Sequence, residues 1–167
     1  ARQRLAQLQR IVDSDPEAKR QALWLKVEVA LAAADLSKTQ LNDLGESLGF
    51  NSPLPGTLRR PELLLQAQVA MQARSVLALS VATQNLQAWV AVNSQDALAW
   101  QVLASIFALQ NQPLRALRAE AESRAAHLDY AAALDRLKAA QGLKPGPNDV
   151  RSNADHIDAS IIDTRRR

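Results

Sequence analysis

The spacing of small and large residues in one C-terminal stretch restricts the fold more than any other feature. In "DYAAALDRLKAAQGLKP", Tyr130 is followed by Ala133, Leu137 and Ala140 at steps of three, four and three residues. Pro145 follows Ala140 after five more residues. Residues at steps of three or four share one face of a helix. Small side chains on that face allow a second helix to approach to an axis distance of about 8 Å. The stretch therefore predicts a helix that packs closely on a neighbour and ends before the proline.

The apolar content of the chain favours helices throughout. Hydrophobic residues make up 47% of the chain and aromatic residues only 4%, so Ala and Leu supply most of the apolar surface. Strands draw instead on β-branched and aromatic residues. The predicted fold class is therefore all-α.

Turn and cap signals divide the chain into nine predicted helices. Asp15 and Pro16 are typical of a helix start, and Gly49 of a helix end. Short connections between residues 61 and 143 make consecutive helices antiparallel neighbours. The predicted helices cover residues 3–12, 16–35, 38–48, 61–73, 75–92, 96–109, 113–126, 130–143 and 154–164.

The domain organisation follows from the same signals. The segment "NSPLPGTLRRP" combines three prolines, a glycine and two arginines, and it is the best candidate for a hinge. We predict N-terminal helices in 1–50 that are non-repeat or degenerate, a Pro/Arg loop in 51–60, paired helices in 61–145, a linker in 146–153 and a last helix in 154–167.

The opening stretch resembles the second helix of a tetratricopeptide repeat. Asp129 and Tyr130 match the turn, Ala133 and Ala140 the close contacts, and Pro145 the end of the unit. The resemblance implies a superhelix (an α-α solenoid) of antiparallel helix pairs.

A second match competes with the first for the same helix. Trp100, Leu103, Ala104 and Phe107 resemble the first helix of a repeat, whereas Leu117 occupies the equivalent place in the other match. Trp100 and Leu117 are 17 residues apart, about half of the usual period of roughly 34 residues. Helix 113–126 is thus claimed by both matches, and the repeat frame stays open.

The region from about residue 61 to 165 also resembles the C-terminal part of BepA-like bacterial periplasmic zinc metallopeptidases. The likeness is carried by residues 112–122, "QPLRALRAEAE", and by residues 155–165, "DHIDASIIDTR". It implies a non-catalytic protein–protein interaction module, attached to a HExxH peptidase domain that acts in outer-membrane protein quality control or assembly. It also implies a periplasmic location, and partners that include the peptidase domain and the outer-membrane assembly machinery.

A stand-alone tetratricopeptide adaptor that scaffolds a soluble complex is the alternative. The first residues, "ARQRLAQLQR", contain no Met and no signal-peptide core, so we expect a piece of a longer protein. A HExxH motif upstream would favour the metallopeptidase, and an immediate start codon the adaptor.

The chain offers no motif for chemistry of its own. It has no Cys, and its two histidines, His127 and His156, lie far apart beside single aspartates, so no zinc site is predicted. No nucleophile motif or phosphate loop is present, and we expect the chain not to be an enzyme. Zinc is expected only in the peptidase domain, so no cofactor is assigned.

Nucleic acid is not predicted as a partner, and no membrane-spanning segment is predicted. The formal charge is +3, and the arginines cluster at the two ends and in the 51–60 loop rather than along a helix. No apolar run is long enough to cross a bilayer. Helical periodicity leaves Gln101, Ser105, Arg118 and Glu122 as candidate partner-binding residues, and Trp24, Trp89 and Trp100 are interpreted as core residues.

Overall fold

A computed structural model describes residues 15–33, 36–49, 58–143 and 153–166, with side chains in the last range given for 157–164. Within these ranges every regular element is a helix, which confirms the all-α prediction. The predicted helix 3–12, most of the 51–60 loop and most of the 146–153 linker lie outside the described residues. The helices are α1 (Pro16–Ala32), α2 (Lys38–Ser47), α3 (Arg60–Ala73), α4 (Val76–Val92), α5 (Ala97–Leu109), α6 (Pro113–Ala126), α7 (Tyr130–Gly142) and α8 (Asn153–Arg166).

Side-chain caps fix the starts of four described helices, α1, α2, α5 and α7. Asp15 accepts a hydrogen bond from the Glu17 backbone N–H at 2.9 Å, and Pro16 occupies the first helical position of α1. Before α2, Ser37 and Gln40 each accept a hydrogen bond from the other's backbone N–H, which forms a capping box. Such caps satisfy donors that the first turn of a helix leaves unpaired. Asp96 and Asp129 cap α5 and α7 in the same way.

Three helix ends among the described residues use a left-handed residue that is not glycine, and one of them is Arg74 after α3, with φ 49°. Asn111 follows α5 with φ 57°, and Leu128 follows α6 with φ 63°. At the turns after α5 and α6 a backbone N–H reaches back five residues, from Gln112 to the Phe107 carbonyl at 2.9 Å and from Asp129 to the Arg124 carbonyl at 3.0 Å. This is the hydrogen-bond pattern of a Schellman turn, which reverses the chain within two or three residues.

The chain divides into two compact units, Ala1–Ala82 and Thr83–Arg167, and the division falls inside α4. In the first unit, Val27 of α1, Leu41 and Leu44 of α2, and Leu65 and Val69 of α3 belong to one buried cluster. Helices before and after the predicted hinge at 51–60 therefore share a core. Arg59, at the end of that loop, forms an ion pair with Glu17 at the start of α1. The predicted domain boundaries stay a prediction.

In the second unit, α6 packs against α5, α7 and α8, and α8 also contacts α7. Ala121 of α6, Leu137 and Ala140 of α7, and Ile162 of α8 form its buried cluster, with Leu117 packed against it. Ala133 and Ala140 are both buried, as their spacing in the sequence predicted. Small side chains at the α6–α7 interface allow the two helices to lie close together.

Candidate partner-binding site

One groove of the second unit lies on α5, α6 and α7. We name it the polar groove; its volume is about 380 Å³. Two of the predicted partner-binding residues, Gln101 and Ser105, lie in it one turn apart on α5. The lining residues are Gln101, Ala104, Ser105, Ala108, Glu120, Ser123, Arg124, His127 and Arg136.

The charges of the polar groove are exposed to solvent. Arg136 of α7 pairs with Glu120 of α6 at 3.3 Å, and each side chain is close to half exposed. Exposed ion pairs of this kind contribute little to stability because water screens them. His127 ends α6 and is exposed. The groove thus offers polar groups to a partner, but its Arg136–Glu120 ion pair is exposed rather than buried.

Another groove lies on α4, α5, α6 and α8, and we name it the arginine groove. Its volume is about 330 Å³. The other two predicted residues, Arg118 and Glu122, lie in it together with Arg115 and Ala119, and these four form one stripe along α6. The lining residues are Gln87, Val90, Ala91, Ser94, Trp100, Leu103, Phe107, Arg115, Arg118, Ala119, Glu122 and Asp158.

A shared carboxylate holds the two arginines of this groove. Asp158 of α8 accepts a hydrogen bond from Arg115 Nε at 3.0 Å through its Oδ2, and its Oδ1 accepts one from Arg118 Nη1. The Asp158 side chain is only 7% exposed, whereas the two arginines are about one quarter exposed. Charge-assisted hydrogen bonds of this kind are stronger than neutral ones, and the burial of the carboxylate depends on them.

Neighbouring side chains fix the orientation of Arg115. Its Nη1 donates to Gln112 Oε1 at 3.1 Å, and its guanidinium carbon lies 5.4 Å from the centre of the Phe107 ring. A guanidinium at this distance from a ring is attracted to the π face. Arg115 is therefore held in place on three sides, by Asp158, Gln112 and Phe107.

Hydrogen bonds to the α4–α5 turn fix two tryptophans beside the groove. Trp100 donates from its Nε1 to the Ser94 carbonyl at 2.9 Å, and Trp89 donates to Asp96 Oδ2 at 3.0 Å. Asp96 also caps α5, so one side chain orders the turn and an indole ring. Trp100 is partly buried and lines the arginine groove, so it is both a packing residue and part of a surface open to a partner.

The structure divides the four predicted residues between two grooves, Gln101 and Ser105 in one and Arg118 and Glu122 in the other. The sequence interpretation did not single out Arg115 or Asp158. A signal for Arg115 was present, because Arg115, Arg118 and Glu122 follow a three- and four-residue spacing. Asp158 lies 40 residues or more from its partners, and no local pattern connects them.

The described residues contain no group of three or more His, Asp or Glu side chains placed to hold a metal ion. The side chain of His156 lies outside them. Among the helices that the structure describes, none is long and apolar enough to cross a membrane.

The fold and the grooves define a helical protein with open recesses between closely packed helices. Comparison with known protein families, with curated proteins and with solved structures finds no match to this chain.

Proposed function

We propose that this chain is a non-catalytic protein–protein interaction module built from tetratricopeptide-like helix pairs. The observation that carries the proposal is the arginine groove, a recess of about 330 Å³ lined by Arg115, Arg118 and the partly exposed Trp100. Arginine and aromatic residues are enriched at the centres of protein interfaces. A groove with these anchors suits a peptide or a protein surface.

The packing of the second unit supports the helix-pair interpretation. Ala121 of α6 and Ala140 of α7 are buried where the two helices meet, and α8 contacts both helices. In a stack of helix pairs, the first helix of a unit packs on both helices of the preceding pair. This arrangement favours the frame in which α6 and α7 form one pair and α8 begins the next. In that frame the stripe of Arg115, Arg118 and Glu122 lies on a first helix, facing the groove.

We further propose that the module is the C-terminal part of a BepA-like periplasmic metallopeptidase, with zinc and catalysis confined to another domain. The support is the resemblance of residues 112–122 and 155–165 to that family. These two segments contact one another in the folded chain, because Arg115 and Arg118 belong to the first and Asp158 to the second. Segments that depend on each other for an ion pair are expected to be retained together. The proposed partners are the peptidase domain and the outer-membrane assembly machinery.

Site-specific photocrosslinking in producing cells tests the interaction role. A photoreactive amino acid at Gln87 places the probe in the arginine groove, and one at Gln101 or Ser105 places it in the polar groove. Gln84 is a matched control, because it is also an exposed glutamine of α4 but lines neither groove. We expect Gln87 to give a discrete crosslinked protein and Gln84 to give none.

The same experiment can overturn the proposal. If Gln84 captures proteins as well as Gln87, Gln101 and Ser105 do, the grooves are not the binding surface. The gene sequence upstream tests the family: a HExxH motif there supports the metallopeptidase, whereas a start codon directly before the first residue supports the stand-alone adaptor.

A further inference from the structure

The arginine groove already contains a carboxylate from the chain itself. Asp158 reaches the groove from α8 and pairs with Arg115 and Arg118, which precede it by 43 and 40 residues. It is the side chain of a separate helix, not a neighbour on α6. The two arginines of the groove are thus already paired with one acidic side chain of the chain itself.

The arginine pair has more donors than Asp158 can satisfy. Each guanidinium carries five N–H donors, and one carboxylate serves both groups. Arg115 donates a further hydrogen bond to Gln112, but the Nε of Arg118 is buried and finds no acceptor among the residues that the structure describes. A buried donor without an acceptor is costly, so a second acceptor at this place would be stabilising. Arg118 therefore keeps a donor that Asp158 does not use.

The other walls of the groove restrict the kind of ligand. Trp100 offers a partly exposed aromatic surface next to the arginines, whereas Phe107 is buried and packs against Arg115. Glu122 lies one helical turn beyond Arg118 on the same stripe, and its charge disfavours an acidic group at that end. An acidic side chain is therefore directed to Arg115 and Arg118, with an aromatic or other apolar neighbour against the Trp100 ring.

We propose that Asp158 is an internal competitor, and that the groove binds a peptide segment with a carboxylate beside an aromatic side chain. The partner's carboxylate takes the place of Asp158 on Arg115 and Arg118, and α8 undocks from α6 and α7 when the segment binds. The inference rests on the proposed interaction function and adds the chemistry of the partner and its regulation by α8. The apparent affinity for the segment is then the intrinsic affinity multiplied by the fraction of molecules in which α8 is undocked.

Peptide binding to the full chain tests the competition. The probe is the end-capped, fluorescently labelled peptide acetyl-Ser-Asp-Phe-Asp-Ser-amide, and acetyl-Ser-Asn-Phe-Asn-Ser-amide is its uncharged control. We expect Asp158→Asn to bind the acidic probe about tenfold more tightly than the unmodified chain, since the competitor is removed. The uncharged peptide should bind both proteins equally weakly. Adding Arg118→Gln to Asp158→Asn should abolish the gain.

A second variant opens the groove without a change of charge. Ile162 of α8 is 1% exposed and packs in the buried cluster with Leu137 and Ala140. Ile162→Ala weakens the packing of α8 on α6 and α7. It should therefore also raise the affinity for the acidic probe, by about threefold or more. Circular dichroism checks that each variant keeps its helical content.

The movement of α8 has its own reporter, because the chain contains no Cys. A single Ile162→Cys thiol is covered while α8 is docked, whereas Ser160→Cys lies on an exposed part of the same helix. We expect the acidic probe to accelerate labelling of Ile162→Cys by a thiol reagent and to leave the rate of Ser160→Cys unchanged. The uncharged peptide should change neither rate.

These results separate the inference from the proposed function. Equal binding of the acidic probe to the unmodified chain, Asp158→Asn and Ile162→Ala overturns the internal competitor, and so does labelling that the probe does not accelerate. In either case a partner captured at Gln87 would leave the interaction role intact. Conversely, if the acidic probe binds more tightly to Asp158→Asn and Ile162→Ala, the internal competitor is supported even where no protein is crosslinked in cells.

Discussion

Ser123 Oγ, on α6, donates a hydrogen bond of 2.8 Å to the backbone carbonyl of Ala97, the first residue of α5. Ser123 is buried, and the bond joins two helices that are 26 residues apart in the chain at this point. Serine is small enough to allow close approach of the helices and polar enough to satisfy an acceptor at their contact. One side chain therefore meets two requirements of the α5–α6 packing.

We predict that Ser123→Ala lowers the free energy of unfolding by about 1 kcal/mol, since alanine fills the space but cannot donate a hydrogen bond. Urea denaturation followed by circular dichroism measures the change. Ser105→Ala is the matched control, because Ser105 is exposed and donates at 3.1 Å to the Gln101 carbonyl of its own helix. That control should change stability by less than about 0.5 kcal/mol. Equal losses in both variants would contradict the interhelical role of Ser123.

The close packing of α7 leads to a second prediction. Ala140 is 1% exposed among Ala121, Leu137 and Ile162. Ala140→Leu should destabilise the protein by about 1–3 kcal/mol, because a full core must shift to admit the larger side chain. Ala139 is the neighbouring residue on the exposed side of the helix, and Ala139→Leu should be nearly neutral. Thermal unfolding of the two variants compares them, and an equal melting temperature would show that α7 is not packed as described.

The left-handed turn after α6 leads to a third prediction. Leu128 has φ 63° and is 70% exposed, so its side chain gains little from packing while its backbone is strained. Leu128→Gly should stabilise the protein by about 0.5–1 kcal/mol after allowance for the greater freedom of glycine in the unfolded chain.

Leu109 provides the control for this substitution. It is 43% exposed but ends α5 within the helix, where glycine is unfavourable by up to about 1 kcal/mol. Leu109→Gly should therefore destabilise, and chemical denaturation should give opposite signs for the two variants. A destabilising effect of Leu128→Gly would show that the turn depends on the leucine side chain.

The helices could be predicted from the sequence because their signals are local. Asp15 and Pro16 mark the start of α1, and Gly49, with φ 79°, follows the end of α2. Every predicted helix that falls within the described residues is present, with its described ends within about three residues of those predicted. The turn between α6 and α7 was predicted from Asp129 and Tyr130, but its left-handed residue was not, because leucine rarely adopts that conformation.

The candidate site could be predicted only in part. Helical periodicity showed that Gln101, Ser105, Arg118 and Glu122 are polar positions, but the rotation of each helix about its axis decides which groove they face. That rotation depends on contacts between helices, which one sequence does not specify. The pairing of Arg115 with Asp158 depends on the docking of α8, and sequence separation conceals it.

The ion pairs that hold α8 against α6 lead to the last prediction. Asp158→Asn removes the negative charge shared by Arg115 and Arg118, and we expect the docking of α8 to weaken by about 1–3 kcal/mol. Native-state hydrogen exchange measures this locally, since each 1.4 kcal/mol corresponds to about a tenfold loss of protection. The amides of α8 should lose protection while those of α1 to α3 keep theirs.

Asp163→Asn is the control, because Asp163 is exposed and accepts a hydrogen bond from Gln141. It should change α8 protection less than threefold, since exposed polar contacts contribute about 0.5 kcal/mol or less. An equal effect of the two variants would mean that the arginine pair does not hold α8 in place.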